Sequence, residues 1–146
     1  MPVTVEIARE AAPELRDALN RLVPQLTSRP VEVTLQGLAA IISSGSSILF
    51  VAREVGAVVG AATLALYRTP TGLKAWIEDV VVDEGARGLG AGEALILAAL
   101  AEARARGARA VDLTSRPSRE AAHRLYQKLG FVTRESAVYR FDLESP

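Results

Sequence analysis

The sequence predicts a single mixed α/β domain spanning residues 1–146, an α+β mixed sheet in the order β-α-α-β-β-β-α-β-α-β-β. Three observations carry this reading. Val80-Val81-Val82 is a β-branched run of the kind that sits inside a sheet, and it leads through a glycine-rich turn into the apolar stretch Ala94 to Leu100, which reads as a covered helix. The chain before it is cut into strand-length pieces by turn residues at Glu54-Val55-Gly56 and Thr69-Pro70-Thr71-Gly72. The chain after it is punctuated by Gly107 and Gly130, each where a helix should end on a left-handed residue.

Taken in order, Val3 to Ala8 is a short strand. Pro13 suits the first turn of a helix in which Leu15, Leu19, Leu22 and Leu26 share a face, and Pro24 should end or bend it. Thr34 can cap a second helix over Leu35 to Ile42, with Leu35, Leu38 and Ile42 inward. Ile48 to Arg53, Ala57 to Tyr67 and Leu73 to Val82 are antiparallel strands, and a crossover after Val82 leads to a strand over Ala108 to Thr114. A last helix, capped by Ser118, carries Ala121, Leu125 and Leu129 on its buried face. Phe131 should fold back onto Leu125 or Tyr126. Phe131 to Arg134 and Val138 to Leu143 close the chain as a hairpin.

The loop between the third antiparallel strand and the covered helix is the chemically informative stretch. A strand, a glycine-rich turn and a helix N-terminus make an anion site, because the first backbone N–H groups of a helix lack internal partners and the dipole is positive there. Glycine lets a phosphate come close to the backbone. Gly92-Glu93-Ala94 lacks the Gly-Lys-Ser/Thr ending of a P-loop, and Gly88-x-Gly90-x-x-Glu93 breaks the dinucleotide fingerprint at its last glycine.

What remains, Arg87-Gly88-Leu89-Gly90-Ala91-Gly92, resembles the Arg/Gln-x-x-Gly-x-Gly/Ala signature of the GNAT acetyltransferase superfamily. The element order resembles the GNAT fold over nearly the whole chain. Ala122-His123-Arg124-Leu125-Tyr126-Gln127-Lys128-Leu129-Gly130-Phe131 is similar to the family's Ala-x-x-Leu/Phe-Tyr-x-x-x-Gly-Phe segment. The resemblance implies an acetyl-CoA-dependent N-acetyltransferase whose central parallel strands splay apart, with the loop holding the pyrophosphate. It implies that main-chain groups of Val80 and Val82 pair with the pantetheine arm, and that Tyr126 is the general acid. Arg119 stands where many members carry Asn, so the cofactor contact expected there rests on a different side chain.

For the base, the residues offer Glu78, an acidic side chain in an otherwise apolar strand, where burial without purpose is costly. Asp79 competes with it, and a water chain could intervene. Period-2 alternation would put Trp76, Glu78, Val80 and Val82 on one face, and Ile77, Asp79 and Val81 on the other. His123 reads as a polar helix-surface residue, and Arg116 and Arg119 read equally as solvated charge or as partners of the 3′-phosphate of CoA.

Composition narrows the classes. Seventeen basic and 17 acidic residues cancel, which argues against a general nucleic-acid binder. With no cysteine and one histidine, a Cys or His metal site is not expected, nor is an acetyl-cysteine intermediate, so transfer should be direct within a ternary complex. The N-terminus lacks a basic-then-apolar signal, no apolar run approaches a membrane span, and mean hydropathy is +0.20, so a cytoplasmic protein is expected. Resemblance to small family members implies a homodimer paired through C-terminal strands, with Val138, Tyr139 and Phe141 at the edge. The acceptor amine stays open among amino-sugar phosphate, peptide or lysine, polyamine and antibiotic. The rival class is a non-catalytic acyl-CoA-binding sensor.

Overall fold

The computed structural model describes residues 2–144, which divide into two compact units, one up to Thr114 and one from Ser115. The first unit holds a five-stranded sheet in the order β1-β2-β3-β4-β5, with β1 Val3–Ile7, β2 Ser47–Glu54, β3 Ala57–Thr69, β4 Gly72–Val82 and β5 Val111–Asp112. The first four strands are antiparallel neighbours, and β5 runs parallel to β4. Helices α1 (Pro13–Leu22) and α2 (Leu35–Ser43) lie on one face and α3 (Ala91–Ala105) on the other.

Each helix follows from its sequence. Leu15, Leu19 and Leu22 of α1 are buried as their spacing requires, and the helix tightens at Pro24 into a single 3₁₀ turn, Val23–Gln25. Asn20 ties the following segment to α1, donating to the Val33 carbonyl at 2.9 Å and accepting from the Val33 N–H at 2.8 Å. Thr34 Oγ1 accepts from the Gly37 N–H at 3.0 Å and caps α2 as expected. Leu38 is fully buried, but Leu35 is exposed rather than inward, because in the first turn of so short a helix it lies beyond the edge of the core. Leu22 and Leu38 lie in one cluster with Val51, Ala61 and Val81, so truncating either to Ala should cost about 2–5 kcal/mol.

The opposite face packs closely on α3. A Cβ at Gly60 would meet the Val81 carbonyl oxygen at 2.9 Å and Leu95 Cδ1 at 3.3 Å, so only glycine fits there. Leu95, Ile96 and Ala99 of α3 are fully buried.

In the second unit, α4 runs from Glu120 to Lys128. Its cap position is Arg119 rather than Ser118, with no side-chain capping bond. No residue of α4 is buried, and Ala121 is exposed, so its apolar stripe is only partly covered. Its end follows the glycine rule: Gly130 has φ +100° and the Phe131 N–H donates to the Tyr126 carbonyl at 2.9 Å. The Phe131 ring meets Tyr126 edge-on at 5.7 Å.

Two strand expectations are corrected. The strand expected over Ala108 to Thr114 shortens to Val111–Asp112. The closing hairpin over Phe131 to Arg134 and Val138 to Leu143 does not form among the described residues. The alternation of Tyr139, Phe141 and Leu143 reports which face a strand would bury, but a strand also needs a neighbour for its N–H and C=O groups. These three side chains are exposed instead.

Candidate active site

The site begins where β4 loses its regularity. Thr63 faces Glu78 and Ala61 faces Val81, so the single residue Ala62 stands opposite both Asp79 and Val80. This is a β-bulge, and Asp79 takes φ +51°, a left-handed conformation that Asp tolerates better than most residues. The bulge corrects the simple alternation. Trp76 and Glu78 do share a face, but Val81 joins them on the side of α1 and α2, while Val82 pairs with Gly60 on the side of α3. Ile77, paired with Leu64, lies on the face opposite Val81.

The same strand parts from its neighbour. β4 and β5 pair only at Ala75–Val111 and Trp76–Asp112, so from Ile77 to Val82 the β5-facing edge of β4 has no strand partner among the described residues. This is the splay expected of the parallel pair. It leaves main-chain groups beside Val80 and Val82, both half-buried, open along that edge. Glu78 is exposed, not buried, so its presence there carries no desolvation cost.

From Val82 the chain enters the glycine loop through a clamp that local spacing could not reveal. Asp83 lies between Arg21 and Gln25 of the first helical segment: Arg21 Nε and Gln25 Nε2 donate to its two carboxylate oxygens, each at 3.4 Å. Arg21 Nη2 also donates to the Val58 carbonyl at 2.7 Å, and Gln25 Oε1 accepts from the Glu84 N–H at 3.2 Å. Burial raises the Asp83 carboxyl, but the bonds from Gln25, Arg21 and the Gly85 N–H outweigh it and hold the group below its ordinary value. The partners are some sixty residues apart in sequence, so no motif signals them.

A 3₁₀ turn, Glu84–Ala86, then leads to Arg87, Gly88, Leu89 and Gly90. Gly88 and Gly90 have φ of +89° and +84°, and a Cβ built on either would meet nothing within 4 Å. Gly90 is the N-cap of α3, whose fifteen residues begin at Ala91. The N–H groups of Ala91 and Gly92 fall in the first turn, where a helix offers no carbonyl acceptor. The loop therefore fits a phosphate group: left-handed glycines clear its approach, and amides and the helix dipole face it. Arg87 and Leu89 are exposed and Ala91 is buried under the turn.

In the second unit Tyr126 is half-buried. Burial raises its phenol above the ordinary value, and the Arg119 charge draws it partly back. His123 Nε2 lies 2.8 Å from the Arg116 carbonyl oxygen, so one ring nitrogen is engaged with backbone. Arg116 and Arg119 are both exposed. Among the described residues no group of His, Asp and Glu is arranged to hold a metal, and no helix is long and apolar enough to cross a membrane. A cavity of about 350 Å³ lies elsewhere, against Ile7, Arg9, Ile42, Glu102 and Arg106, and shares no residue with the loop.

A splayed parallel pair, with one strand running into a left-handed glycine loop at a helix N-terminus, makes a site suited to a phosphate-bearing ligand. The model of the Acetyltransferase (GNAT) family matches residues 12–131, and the chain belongs to that family and is an N-acetyltransferase. Solved structures share the fold. An acetyltransferase of Trypanosoma brucei is 30% identical, with 97% of this chain and 99% of that one covered at a TM-score of 0.76. A transcriptional regulator of Bacillus halodurans C-125 is 28% identical over 96% and 99%, with a TM-score of 0.77. The glucosamine-6-phosphate N-acetyltransferase of Arabidopsis thaliana shares the fold at 20% identity, over 97% and 99%, with a TM-score of 0.81. None of the curated proteins compared matches the sequence.

Proposed function

We propose that the whole chain acts as one N-acetyltransferase domain that moves the acetyl group of acetyl-CoA directly to a primary amine in a ternary complex. The observation that carries this is the left-handed Gly88–Gly90 loop opening α3 beside the unpaired edge of β4. In this reading the amides of the loop, with Arg87 to Gly92, hold the pyrophosphate, and the main chain beside Val80 and Val82 pairs with the pantetheine arm. Arg119 offers its guanidinium to the cofactor's phosphates.

Glu78, directly or through water, takes the proton of the attacking amine. The amine nitrogen bonds to the thioester carbonyl carbon, the C–S bond breaks, and Tyr126 gives its phenolic proton to the departing CoA thiolate. Tyr126 stays protonated through neutral pH, so the proton is there to be given, and its raised pKa makes it a weaker acid than an ordinary phenol. No cysteine exists to carry the acetyl group in between.

We also propose a homodimer in the cytoplasm. Tyr139 and Phe141 are 93% and 86% exposed, and with Val138 they offer an apolar strip that a second copy would cover.

Initial-rate kinetics tests the transfer. Intersecting double-reciprocal lines and no radioactive acetyl group retained on the protein after gel filtration are expected. Parallel lines or retained label overturn direct transfer. CoA binding without turnover of any amine would instead favour a sensor.

A further inference from the structure

Helices α1 and α2 cover only part of their face of the sheet. Val58, Ala61 and Val81 lie in the core beneath them, but the next rows on that face run out from under cover. The register fixes what stands there: Thr63 is paired with Glu78, Ala65 with Trp76, and Asp112 of β5 with Trp76 from the other side. Paired residues project to the same side, so Glu78, Trp76 and Asp112 share one surface. Glu78 stands about 7 Å along the strand from Trp76, and Asp112 about 5 Å across from it.

The indole is not free to turn. Trp76 Nε1 donates to Tyr67 Oη at 3.1 Å, which fixes the ring while Tyr67 itself remains 48% exposed. Glu78 and Asp112 are exposed, and neither side chain makes a hydrogen bond or ion pair to another described residue. Lys74 lies on the same face one row further out, opposite Tyr67, which leaves two carboxylates against one ammonium. The Trp76–Asp112 pair is also the last that β4 and β5 make, so this row marks the apex of the splay.

We propose that the acceptor is an amine with at least two positive charges, its non-reacting ammonium held between the Trp76 face and the Asp112 carboxylate while Glu78 meets the amine to be acetylated. The proposal rests on acetyl transfer at the splay, as read above. An ammonium over an indole is attracted by the ring quadrupole, and an unpaired carboxylate beside it adds a charge-assisted hydrogen bond. A sugar phosphate would bring its anion against the same two carboxylates, a like-charge contact that selects against it.

The test compares spermidine, n-butylamine and glucosamine 6-phosphate as acceptors for the full chain at saturating acetyl-CoA, with thiol release as the readout. Spermidine is expected to give a kcat/KM at least tenfold above either alternative. Asp112→Asn and Trp76→Leu should each raise the KM for spermidine about tenfold and shrink its advantage over n-butylamine, with CoA affinity by calorimetry unchanged. Titration of spermidine into the CoA-loaded chain should show binding that weakens in Asp112→Asn. The proposal is overturned if spermidine is no better than n-butylamine, if glucosamine 6-phosphate is preferred, if Asp112→Asn keeps the parent preference, or if spermidine fails to bind the CoA-loaded chain. Failure of CoA itself to bind, read by titrating it alone, sinks the acetyl-transfer reading and this inference with it.

Discussion

Arg53 grips Glu14 with both terminal nitrogens, Nη2 to Oε1 at 3.1 Å and Nη1 to Oε2 at 3.0 Å, and so bolts α1 to β2. Its Nε reaches Glu6 of β1 at 2.6 Å, which makes one guanidinium the joint of three elements. The hydrogen bonds and charge of Arg53 hold the Glu14 carboxyl below its ordinary value of 4.5. A depressed carboxylate contributes stability above its unfolded pKa and loses it as pH falls through the folded one. Wild type should therefore melt above Glu14→Gln at pH 7, with the gap closing as pH falls below about 4.5. A gap that persists unchanged at pH 3 would show that the pair does not couple to folding. Both carboxylates are largely exposed, so the effect should also shrink in high salt.

The hairpin between β2 and β3 carries a misfit. Val55 and Gly56 are the two loop residues between paired Glu54 and Ala57, with φ of +50° and +81°. Two left-handed residues make a type I′ turn, which Asn-Gly fits and Val-Gly does not, because the branched Cβ crowds the backbone there. Val55 is 74% exposed, so replacing it removes little buried surface. Val55→Asn should stabilise the protein by about 1 kcal/mol and raise Tm by about 3 °C in a domain of this size. An unchanged or lower Tm by calorimetry counts against strain at this position.

Such features mark where sequence reasoning succeeds and where it stops. The caps at Thr34 and Gly130, the leucine face of α1 and the Gly88–Gly90 turn were all legible, because each depends on a few neighbouring residues. The Asp79 bulge was not, since nothing in Ile77 to Val82 says that Ala62 will face two residues at once. The Arg21–Asp83–Gln25 clamp and the Asp112–Trp76 row depend on register between distant segments, which periodicity does not encode. The C-terminal hairpin failed for a related reason: alternation names a strand's faces but not its partner. Within the loop, the family signature supplied the ligand, and elementary helix electrostatics supplied the reason.

Tyr126 gives a prediction in pH. Its burial raises the phenol above the ordinary 10.0 despite the pull of Arg119, so the protonated donor should persist past pH 10. The alkaline limb of kcat should then fall above pH 10 in wild type and vanish in Tyr126→Phe. The variant should lose about 100-fold in kcat while binding CoA as wild type does. If kcat survives the substitution, the thiolate takes its proton from water, and the assignment of Tyr126 as acid fails.

The loop admits a cleaner test than its most obvious variant. Gly90→Val adds a Cβ where a phosphate would sit, but it also forces a branched residue to φ +84°, so lost binding could be lost fold. Gly92 lies in the first turn of α3, where alanine is favoured over glycine by about 1 kcal/mol. Side-chain Cβ atoms tilt toward a helix N-terminus, so a side chain larger than alanine at position 92 leans toward the loop without breaking the helix. If amides cradle the pyrophosphate, Gly92→Ala, a residue the family signature also admits there, should raise Tm and bind CoA close to wild type, whereas the bulkier Gly92→Val should weaken CoA binding at least tenfold, about 1.4 kcal/mol. Arg87→Ala removes only an exposed charge and should cost about 1 kcal/mol or less, most of it gone in high salt. Calorimetric titration of CoA into these variants decides between them. Should Arg87→Ala bind the more weakly while Gly92→Val matches wild type, side-chain charge rather than backbone holds the phosphates, and the amide cradle is wrong.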